Sequence, residues 1–387
     1  MDFRLTEEQE NLREAARKFA QTELPQLARE LEEKNEPVPD EMRERYASLG
    51  YLGINLPEQY GGHGLSHLDA VIVLEEFAKI SPAVAFPVFE SCFGPILAIA
   101  HFAPEPLRKR LIPEVVSGKR IIAVAMSEPD AGSALTDLRT RAIVEEDTVR
   151  LSGQKRWCSG AGHANGYLVY CRMSDEPGAK GIGAVYVEKG TPGFTFGKRE
   201  LLMGFRGIVS ADMYFDDVRV PTGNVVVSAG GGFRKLMEAF DLERCGNATM
   251  SLAIAQGTLD YVLEYVQQRK QFGKPIVDFQ AVQMRLADMA MKVEAARLLI
   301  YQAVWSASEG MPSIKQSSIA KCFANEMVRE VTGHAMQMMG AYGYNKEYPI
   351  EQRLRDGWGW GIAGGAIDIQ KTNITSSLIG RRFDQRN

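Results

Sequence analysis

The sequence has few cysteines, and nothing in their spacing pairs them. They are Cys92, Cys158, Cys171, Cys245 and Cys322, in a chain of 387 residues. An odd number of scattered cysteines argues against a disulfide framework, and the lack of paired Cys/His spacing argues against a zinc site. We therefore expect buried, reduced thiols, no bound metal and a cytoplasmic protein.

The sequence also has no excess of positive charge. We expect it to lack the apolar segments that are typical of membrane and secreted proteins. The formal net charge is −4, so the composition does not indicate a positively charged surface for binding nucleic acid. The first residues, MDFRLTEE, contain no apolar core of a signal peptide, and we expect no apolar run long enough to cross a bilayer. Binding to nucleic acid or to a membrane is thus not expected.

The spacing of the apolar residues divides the chain into three regimes. From Thr6 to about residue 118 apolar residues recur every three or four positions, and Thr6 with Gln9 is typical of a capping box at a helix start. Between about residues 120 and 226 the period is two, as in YLVYC at 167–171, and after the glycines at 230–232 the helical period returns. This order predicts an α+β protein with a helical domain at 1–119, a β-barrel-like middle domain at 120–227 and a helical bundle at 228–387.

Short motifs lie within these regimes. They are MSEPDAGS (126–133), QKRWCS (154–159), RKQFGKP with FQ (269–275 and 279–280) and QMMGAYGY (337–344). None is specific alone, because a single Trp on a strand is usually a core residue and a basic residue followed by Gly commonly ends a helix. In this order they resemble the acyl-CoA dehydrogenase family of flavoenzymes over residues 127–370. The resemblance implies an acyl-CoA dehydrogenase-like fold with a C-terminal four-helix bundle, and FAD as cofactor.

The resemblance assigns contacts with the flavin ring to Met126, Ser127, Trp157 and Ser159. The loop at 126–127 is expected to meet the pyrimidine edge, Trp157 to lie against the isoalloxazine, and the backbone N–H of Ser159 to reach flavin N5. These roles suit the cofactor, because a flat apolar ring is held by aromatic contact and N5 gains negative charge on reduction.

The same resemblance assigns the other end of FAD to residues that approach it from a neighbouring subunit. Arg269 is expected to reach the pyrophosphate, which suits a guanidinium fork, with Phe272 and Gln280 beside it. Gln337 and Gly340 are expected near the adenine half. A cofactor shared across subunits implies a closed assembly, for which we expect a homotetramer.

Two further segments, DLER (241–244) and IAGGA (362–366), concern the catalytic base. Taken alone, an acid such as Glu243 is more often solvated or salt-bridged than catalytic. In most of the family the base is a Glu at the position of Gly364, whereas in the isovaleryl-CoA branch it stands at the position of Glu243. The resemblance therefore implies Glu243 as the base, the backbone N–H of Gly364 as a donor to the thioester oxygen, and Ser133, Asp241 and Arg244 as groups that hold the CoA substrate.

The expected reaction is α,β-dehydrogenation of a branched, cyclic or otherwise bulky acyl-CoA, with electrons passed to an electron-transferring flavoprotein. The alternatives are an enoyl-CoA reductase, a lyase of the 3-sulfinopropionyl-CoA desulfinase type, and a non-catalytic CoA- or flavin-binding scaffold. The desulfinase branch resembles this chain in MGFRGI (203–208) and IAGG (362–365) but lacks the carboxylate of Glu243. Departures from the family pattern fall at cofactor-side positions: Ala134, Ala341, Ala366 and Asp368.

Overall fold

The first part of the chain is helical. The computed structural model describes residues 4–307 and 310–383. Its N-terminal helices are α1 (Glu7–Lys34), α2 (Asp40–Ser48), α3 (His67–Ala78), α4 (Pro82–Cys92), α5 (Ile96–Phe102) and α6 (Glu105–Val116). The predicted capping box of α1 is confirmed: Thr6 Oγ1 accepts from the N–H of Gln9, and Gln9 Oε1 accepts from the N–H of Thr6, both at 3.2 Å. Two otherwise unpaired donors at the helix start are thereby satisfied.

The expectation that no apolar run could cross a bilayer was wrong on length and composition. The segment Pro82–Phe102 is long and apolar enough for a membrane span. In the structure it forms two helices, α4 and α5, and 89% of its most apolar window is buried inside the protein. Core helices pass the same test of length and hydropathy, so the segment is weak evidence for a membrane span.

The middle of the chain forms a sheet of eight strands within the described residues. They are β1 (Ile122–Ala125), β2 (Arg141–Glu145), β3 (Thr148–Ser159), β4 (Gly166–Arg172), β5 (Ile182–Glu188), β6 (Phe194–Phe196), β7 (Ser210–Pro221) and β8 (Val225–Val227). The order across the sheet is β6-β7-β3-β2-β4-β5-β8, and β1 pairs with β4 in parallel. Side chains such as Val149, Tyr167 and Phe215 bury a core separate from that of the helices. Because β1 ends beside β3, the loops that follow both strands meet at one edge.

The last part of the chain is helical again. It contains α7 (Gly232–Gln268), the small hairpin of β9 (Lys270–Gln271) and β10 (Lys274–Pro275), α8 (Gln280–Trp305), α9 (Ile314–Met339), α10 (Pro349–Trp360) and α11 (Ile367–Ile379). Helix α9 packs against α7, α8, α10 and α11, while α7 also packs against α3, α4, α5 and β5. The predicted α+β class and the order helices, strands, helices are confirmed, and the five cysteines are buried and unpaired as expected.

Helix α7 packs closely against α4 at Gly246, which has no side chain. A Cβ built at Gly246 would lie 2.6 Å from Cγ of Phe93 and 3.0 Å from Cε2 of Phe89, both on or next to α4. Such distances are shorter than carbon atoms tolerate. Gly246 therefore allows α4 and α7 to approach closely, and this contact forms one side of the site described next.

Candidate active site

A cavity of about 2540 Å³ lies where loops of the strand domain meet α4, α7 and the segment between α10 and α11. Residues predicted for the site from the sequence line it: Met126, Ser127, Ser133, Trp157, Ser159, Asp241, Glu243, Arg244 and Gly364. The fold thus brings together segments from the middle domain and from two parts of the C-terminal domain. Their chemistry depends on which of these groups are already paired within the protein.

Glu243 is a carboxyl without a protein partner. It lies on α7 at the cavity wall and forms no hydrogen bond or ion pair with any of the residues described. Burial raises the pKa of Glu243 to about 8, and the charges of Arg244 and Lys321 oppose this only in part. A carboxyl that titrates near neutral pH is well matched to removing a proton from a weak carbon acid.

Asp241 and Arg244, in contrast, satisfy each other. They form an ion pair across one turn of α7, and Ser317 Oγ donates to Asp241 Oδ1 at 2.8 Å. The Nε atom of Arg244 is buried and has no hydrogen-bond partner. A buried donor without an acceptor costs free energy, which an acceptor on a ligand would remove. This pair therefore fits a binding role better than proton transfer.

The loop at 361–366 is attached to α7 and α9 by two side chains. Asn247 Nδ2 donates to the carbonyl of Ala363 at 3.3 Å, and Lys321 Nζ donates to the carbonyl of Trp360 at 2.9 Å. Asn247 is four residues beyond Glu243, so the two side chains lie on the same face of α7. The loop is therefore held over the helix face that carries Glu243.

Gly364 occupies a backbone conformation that favours glycine. Its φ is +64°, and a Cβ at this position would lie 3.1 Å from Asn247 Nδ2. The backbone N–H of Gly364 donates no hydrogen bond to any described residue. It is a donor available to a ligand oxygen at the same cavity wall as Glu243.

Trp157 lies in a strained β-bulge. The pairing of β3 with β7 shifts register between Lys155 and Cys158, and Trp157 has φ +60°, which is rare for a bulky residue. Its ring is 53% exposed and lines the cavity, with the Arg156 guanidinium 4.4 Å from the ring centroid. The bulge turns the ring away from the core, and strain of this kind accumulates at ligand sites.

The loop after β1 is attached directly to this bulge. The buried Lys155 Nζ donates to the carbonyl of Met126 at 2.9 Å and to Glu128 Oε1 at 2.8 Å, and the N–H of Arg156 donates to the carbonyl of Ser127 at 2.9 Å. The two segments predicted to meet the flavin ring are therefore one rigid unit.

Comparison with protein-family models covers all three parts of the chain. The acyl-CoA dehydrogenase N-terminal domain matches residues 6–119, the middle domain residues 123–218 and the C-terminal domain residues 230–379. This chain belongs to the acyl-CoA dehydrogenase family. Among curated relatives, acryloyl-CoA reductase (NADH) of Anaerotignum propionicum is 38% identical, covering 98% of this chain and 97% of the relative. The 3-sulfinopropanoyl-CoA desulfinase of Paraburkholderia xenovorans is 37% identical, covering 99% of both.

Solved structures support the same assignment. Butyryl-CoA dehydrogenase from Megasphaera elsdenii superposes with a TM-score of 0.94 at 34% identity, covering 98% of this chain and all of the other. The FAD complex of PigA superposes with a TM-score of 0.93 at 26% identity, covering 98% and 99%. The acyl-CoA dehydrogenase fold and FAD as cofactor, both expected from the sequence, are thereby confirmed.

The strand side of the cavity fits the FAD of an acyl-CoA dehydrogenase. Trp157 presents an exposed ring there, and side chains at the lining residues Gly132, Gly230 and Gly231 would meet nothing within 4 Å. The cavity is more than twice the volume of an ordinary small-ligand pocket, which suits a dinucleotide together with a CoA thioester. Met126, Ser127, Trp157 and Ser159 would hold the flavin ring.

The predicted contacts to the far end of FAD lie outside this cavity. Arg269 follows α7 and stacks over the ring of Tyr342 at 5.2 Å, next to Gly340. Gln337 and Gln280 are exposed on α9 and α8, and Phe272 is 93% exposed at the tip of the β9–β10 hairpin. None of these residues lines the cavity together with the flavin-ring segments of its own chain. Their contact with the FAD of a neighbouring subunit stays a prediction.

Sequence reasoning missed three residues that shape the site: Glu90, Asn247 and Lys321. Glu90 and Asn247 line the cavity, and Lys321 is a buried lysine whose pKa burial lowers to about 7. A signal was present for Glu90, because it is the single carboxylate in the apolar segment Pro82–Phe102. An acid in such a segment calls for a partner or a function.

Proposed function

We propose that this protein is an FAD-dependent acyl-CoA dehydrogenase in which Glu243 removes the α-proton of the thioester. The observation that carries the proposal is the unpaired carboxyl of Glu243 on the face of α7 that faces the loop of Gly364. Asp241 is paired with Arg244 and does not compete for the role.

The proton chemistry follows from the surroundings of Glu243. Its carboxylate is desolvated, so its affinity for a proton is higher than in water and its pKa is closer to that of the activated α-carbon. Removal of the α-proton places negative charge on the thioester oxygen, and the free N–H of Gly364 supplies a fixed donor for that charge. When bound, FAD supplies the acceptor for the β-hydrogen as hydride.

Other residues of the cavity would hold the CoA thioester in position for the reaction. Arg244 has an unpaired buried Nε and its guanidinium is fixed by Asp241, so it offers a preorganised donor to the CoA thioester. Ser133 is exposed at the strand-side rim, where a hydroxyl would contact the CoA arm. The absence of a side chain at Gly364 leaves volume beside the reacting carbons, which favours branched or cyclic acyl groups over straight chains. Electrons would pass onward to an electron-transferring flavoprotein.

The test is a panel of saturated acyl-CoA thioesters added anaerobically to the purified holoprotein. We expect branched or cyclic members to abolish the absorbance of the oxidised flavin, and the corresponding enoyl-CoA to form in equal amount. If no saturated thioester bleaches the flavin, the dehydrogenase proposal fails. A non-catalytic scaffold predicts bleaching by none of them.

A second candidate is the same site working without net oxidation or in the reductive direction. It is favoured by the similarity to an acryloyl-CoA reductase and to sulfinopropanoyl-CoA desulfinases. Two assays separate it from the dehydrogenase: oxidation of chemically reduced flavin by enoyl-CoA thioesters, and release of sulfite from 3-sulfinopropanoyl-CoA. Rapid reaction in either assay, without bleaching by saturated thioesters, would favour the second candidate.

A further inference from the structure

A second unpaired carboxyl lines the same cavity. Glu90 lies on α4, between Phe89 and Ser91, and forms no hydrogen bond or ion pair with any described residue. Burial raises the pKa of Glu90 to about 8, against a weaker opposite effect of Arg43. Arg43 is itself occupied, because it donates to the carbonyl of Gly118 and pairs with Asp40.

The position of Glu90 connects it to both halves of the proposed reaction site. A Cβ built at Gly160, the residue after Ser159, would lie 3.6 Å from Glu90 Oε1. The neighbouring Phe89 contacts Gly246, one turn beyond Glu243 on α7. Glu90 thus lies between the segment expected at the flavin ring and the helix that carries the base, where an acyl group would lie.

The wall around Glu90 is apolar on the side of this cavity, and on its other side Glu90 also lines a small cavity with Arg43, Ser91 and Arg120. Phe86 and Phe89 stack with ring centroids 5.6 Å apart, and Phe89 also meets Trp360 at 5.8 Å. Two acids at the cavity other than Glu90 and Glu243 have partners within the protein: Glu128 is paired with Lys155, and Asp241 with Arg244. Glu90 is only partly exposed, so an acyl group bound in the cavity would displace water from its carboxyl, and this costs free energy unless the ligand supplies the missing hydrogen bond.

The surroundings of Glu90 limit which chemical group a ligand could place against it. A hydrocarbon tail would cover Glu90 and leave its oxygens unsatisfied, and an anionic acyl group is suited only to the protonated form of Glu90, because the ionised form repels it. A hydroxyl can donate to the ionised carboxyl and accept from the protonated one, so it is suited to both forms. An ammonium group is suited only to the ionised form, whose formation the apolar wall opposes.

We propose that Glu90 is a specificity-determining residue that hydrogen-bonds a hydroxyl on the acyl group, so the substrate class is a hydroxylated acyl-CoA. The inference rests on the proposed function, because it takes the cavity between α4 and α7 as the place of the acyl group. The proposed function concerns the reaction, whereas this inference concerns the polarity of the acyl group.

The experiment compares matched pairs of saturated acyl-CoA thioesters, straight-chain and cyclohexane-based, with and without a hydroxyl at each carbon beyond Cβ. Dissociation constants are measured by calorimetry on the oxidised holoenzyme, and initial rates of flavin reduction on the same pairs. Amino-substituted and carboxy-substituted thioesters of the same lengths are included. The proteins are wild type, Glu90→Gln, Glu90→Ala and the control Glu44→Gln, which changes an exposed acid on α2.

In the wild type we expect one hydroxylated thioester to bind about 10- to 10²-fold more tightly than its hydrocarbon partner, which is the size of effect that one hydrogen bond to a carboxyl supports. Glu90→Ala should abolish that ratio, Glu90→Gln should retain part of it, and Glu44→Gln should leave it unchanged. Equal binding of both partners, or a ratio that survives Glu90→Ala, would overturn the proposal. So would tighter binding of the amino-substituted or carboxy-substituted thioester.

The two measurements separate this inference from the proposed function. If the hydroxylated thioester binds preferentially through Glu90 but no thioester reduces the flavin, the dehydrogenase proposal fails and the role of Glu90 stands. If hydrocarbon and hydroxylated thioesters reduce the flavin equally well in wild type and Glu90→Ala, the role of Glu90 fails and the dehydrogenase proposal stands.

Discussion

The side-chain amide of Asn247 donates a hydrogen bond to the carbonyl of Ala363, and this contact holds Gly364 over the face of α7 that carries Glu243. Asn325 Nδ2 donates in turn to Asn247 Oδ1 at 3.1 Å, and Asn325 Oδ1 accepts from Lys321 Nζ at 2.8 Å. The two asparagines and the lysine form a buried polar network in which each amide is oriented by its neighbour. The distance between the proposed base and the proposed thioester donor is therefore set in part by side chains that are neither the base nor the donor.

The first prediction concerns the base. Glu243→Gln keeps the size of the side chain but cannot take a proton, so flavin content and CoA affinity should be retained while flavin reduction slows by about 10²- to 10⁴-fold. Stopped-flow reduction with the best substrate of the panel measures the rate. Glu264→Gln, an exposed acid on the same helix, is the control. Reduction at the wild-type rate in Glu243→Gln would mean that the base is elsewhere.

The second prediction concerns pH. Glu243 must be ionised to act, and its pKa is about 8, so the rate of flavin reduction should rise with pH and level off above that value. The rise should be absent in Glu243→Gln and present in Glu90→Gln, since Glu90 also titrates near 8 but is not the proposed base. A profile that is flat in the wild type would contradict the assignment.

The same pKa shift predicts a change in stability. The folded protein holds a proton on Glu243 up to about pH 8, whereas the unfolded chain loses it near its ordinary value of 4.5. The folded state binds more protons between these values, so its stability is full below the lower value and is lost as pH rises through the upper one. Glu243→Gln should therefore have a higher Tm than wild type at about pH 8 and a nearly equal one at about pH 4.5. Differential scanning calorimetry at the two pH values tests this.

The fourth prediction concerns a variant in which the catalytic carboxylate is moved from position 243 to position 364. Glu243→Gly with Gly364→Glu should recover little of the lost rate, because residue 364 has a positive φ and its Cβ would lie 3.1 Å from Asn247 Nδ2. Adding Asn247→Ala removes the obstructing amide and should raise the recovered rate. Asn247→Ala in the otherwise unchanged enzyme is the control, since it reports the cost of losing the contact to Ala363. A triple variant no faster than Glu243→Gly alone would show that position 364 does not reach the α-carbon.

The fifth prediction concerns assembly. Arg269 lies outside the cavity of its own chain, so it can meet FAD only if another subunit brings its cofactor to it. Arg269→Ala should lower the FAD content of the purified protein, whereas Gln268→Ala, an exposed neighbour, should not. Light scattering should give a homotetramer for the wild type. A monomer that retains one FAD per chain would contradict the prediction.

The fold was predictable from the sequence because its signals are local. The spacing of apolar residues changes from the helical to the strand period and back, and each period is visible in a short stretch of sequence. The capping box of Thr6 and Gln9 needs only four residues. The residues that line the strand side of the cavity were predictable for a different reason, since their motifs resemble those of a known family. Neither kind of signal reports which distant side chains meet.

Glu90 and Asn247 illustrate what the sequence could not give. Whether Glu90 faces solvent, a salt bridge or a cavity depends on how α4 packs against α7, and this is fixed by Phe89 and Phe93 meeting Gly246. The role of Asn247 depends on a hydrogen bond to a carbonyl 116 residues away. The expectation about apolar runs was wrong for a different reason, since the length and composition of Pro82–Phe102 are readable in the sequence, whereas its burial in the core depends on packing.

The close approach of α4 to α7 at Gly246 has an evolutionary consequence. The acid that would select the acyl group belongs to the N-terminal domain, and the acid that would remove the proton belongs to the C-terminal domain, so the two can mutate independently. Exchanging Pro82–Phe102 for the matching segment of a relative should transfer acyl preference while leaving the deprotonation step and its pH profile intact. In this chain, acyl preference would then change through substitutions in one short apolar segment, provided that position 246 stays glycine.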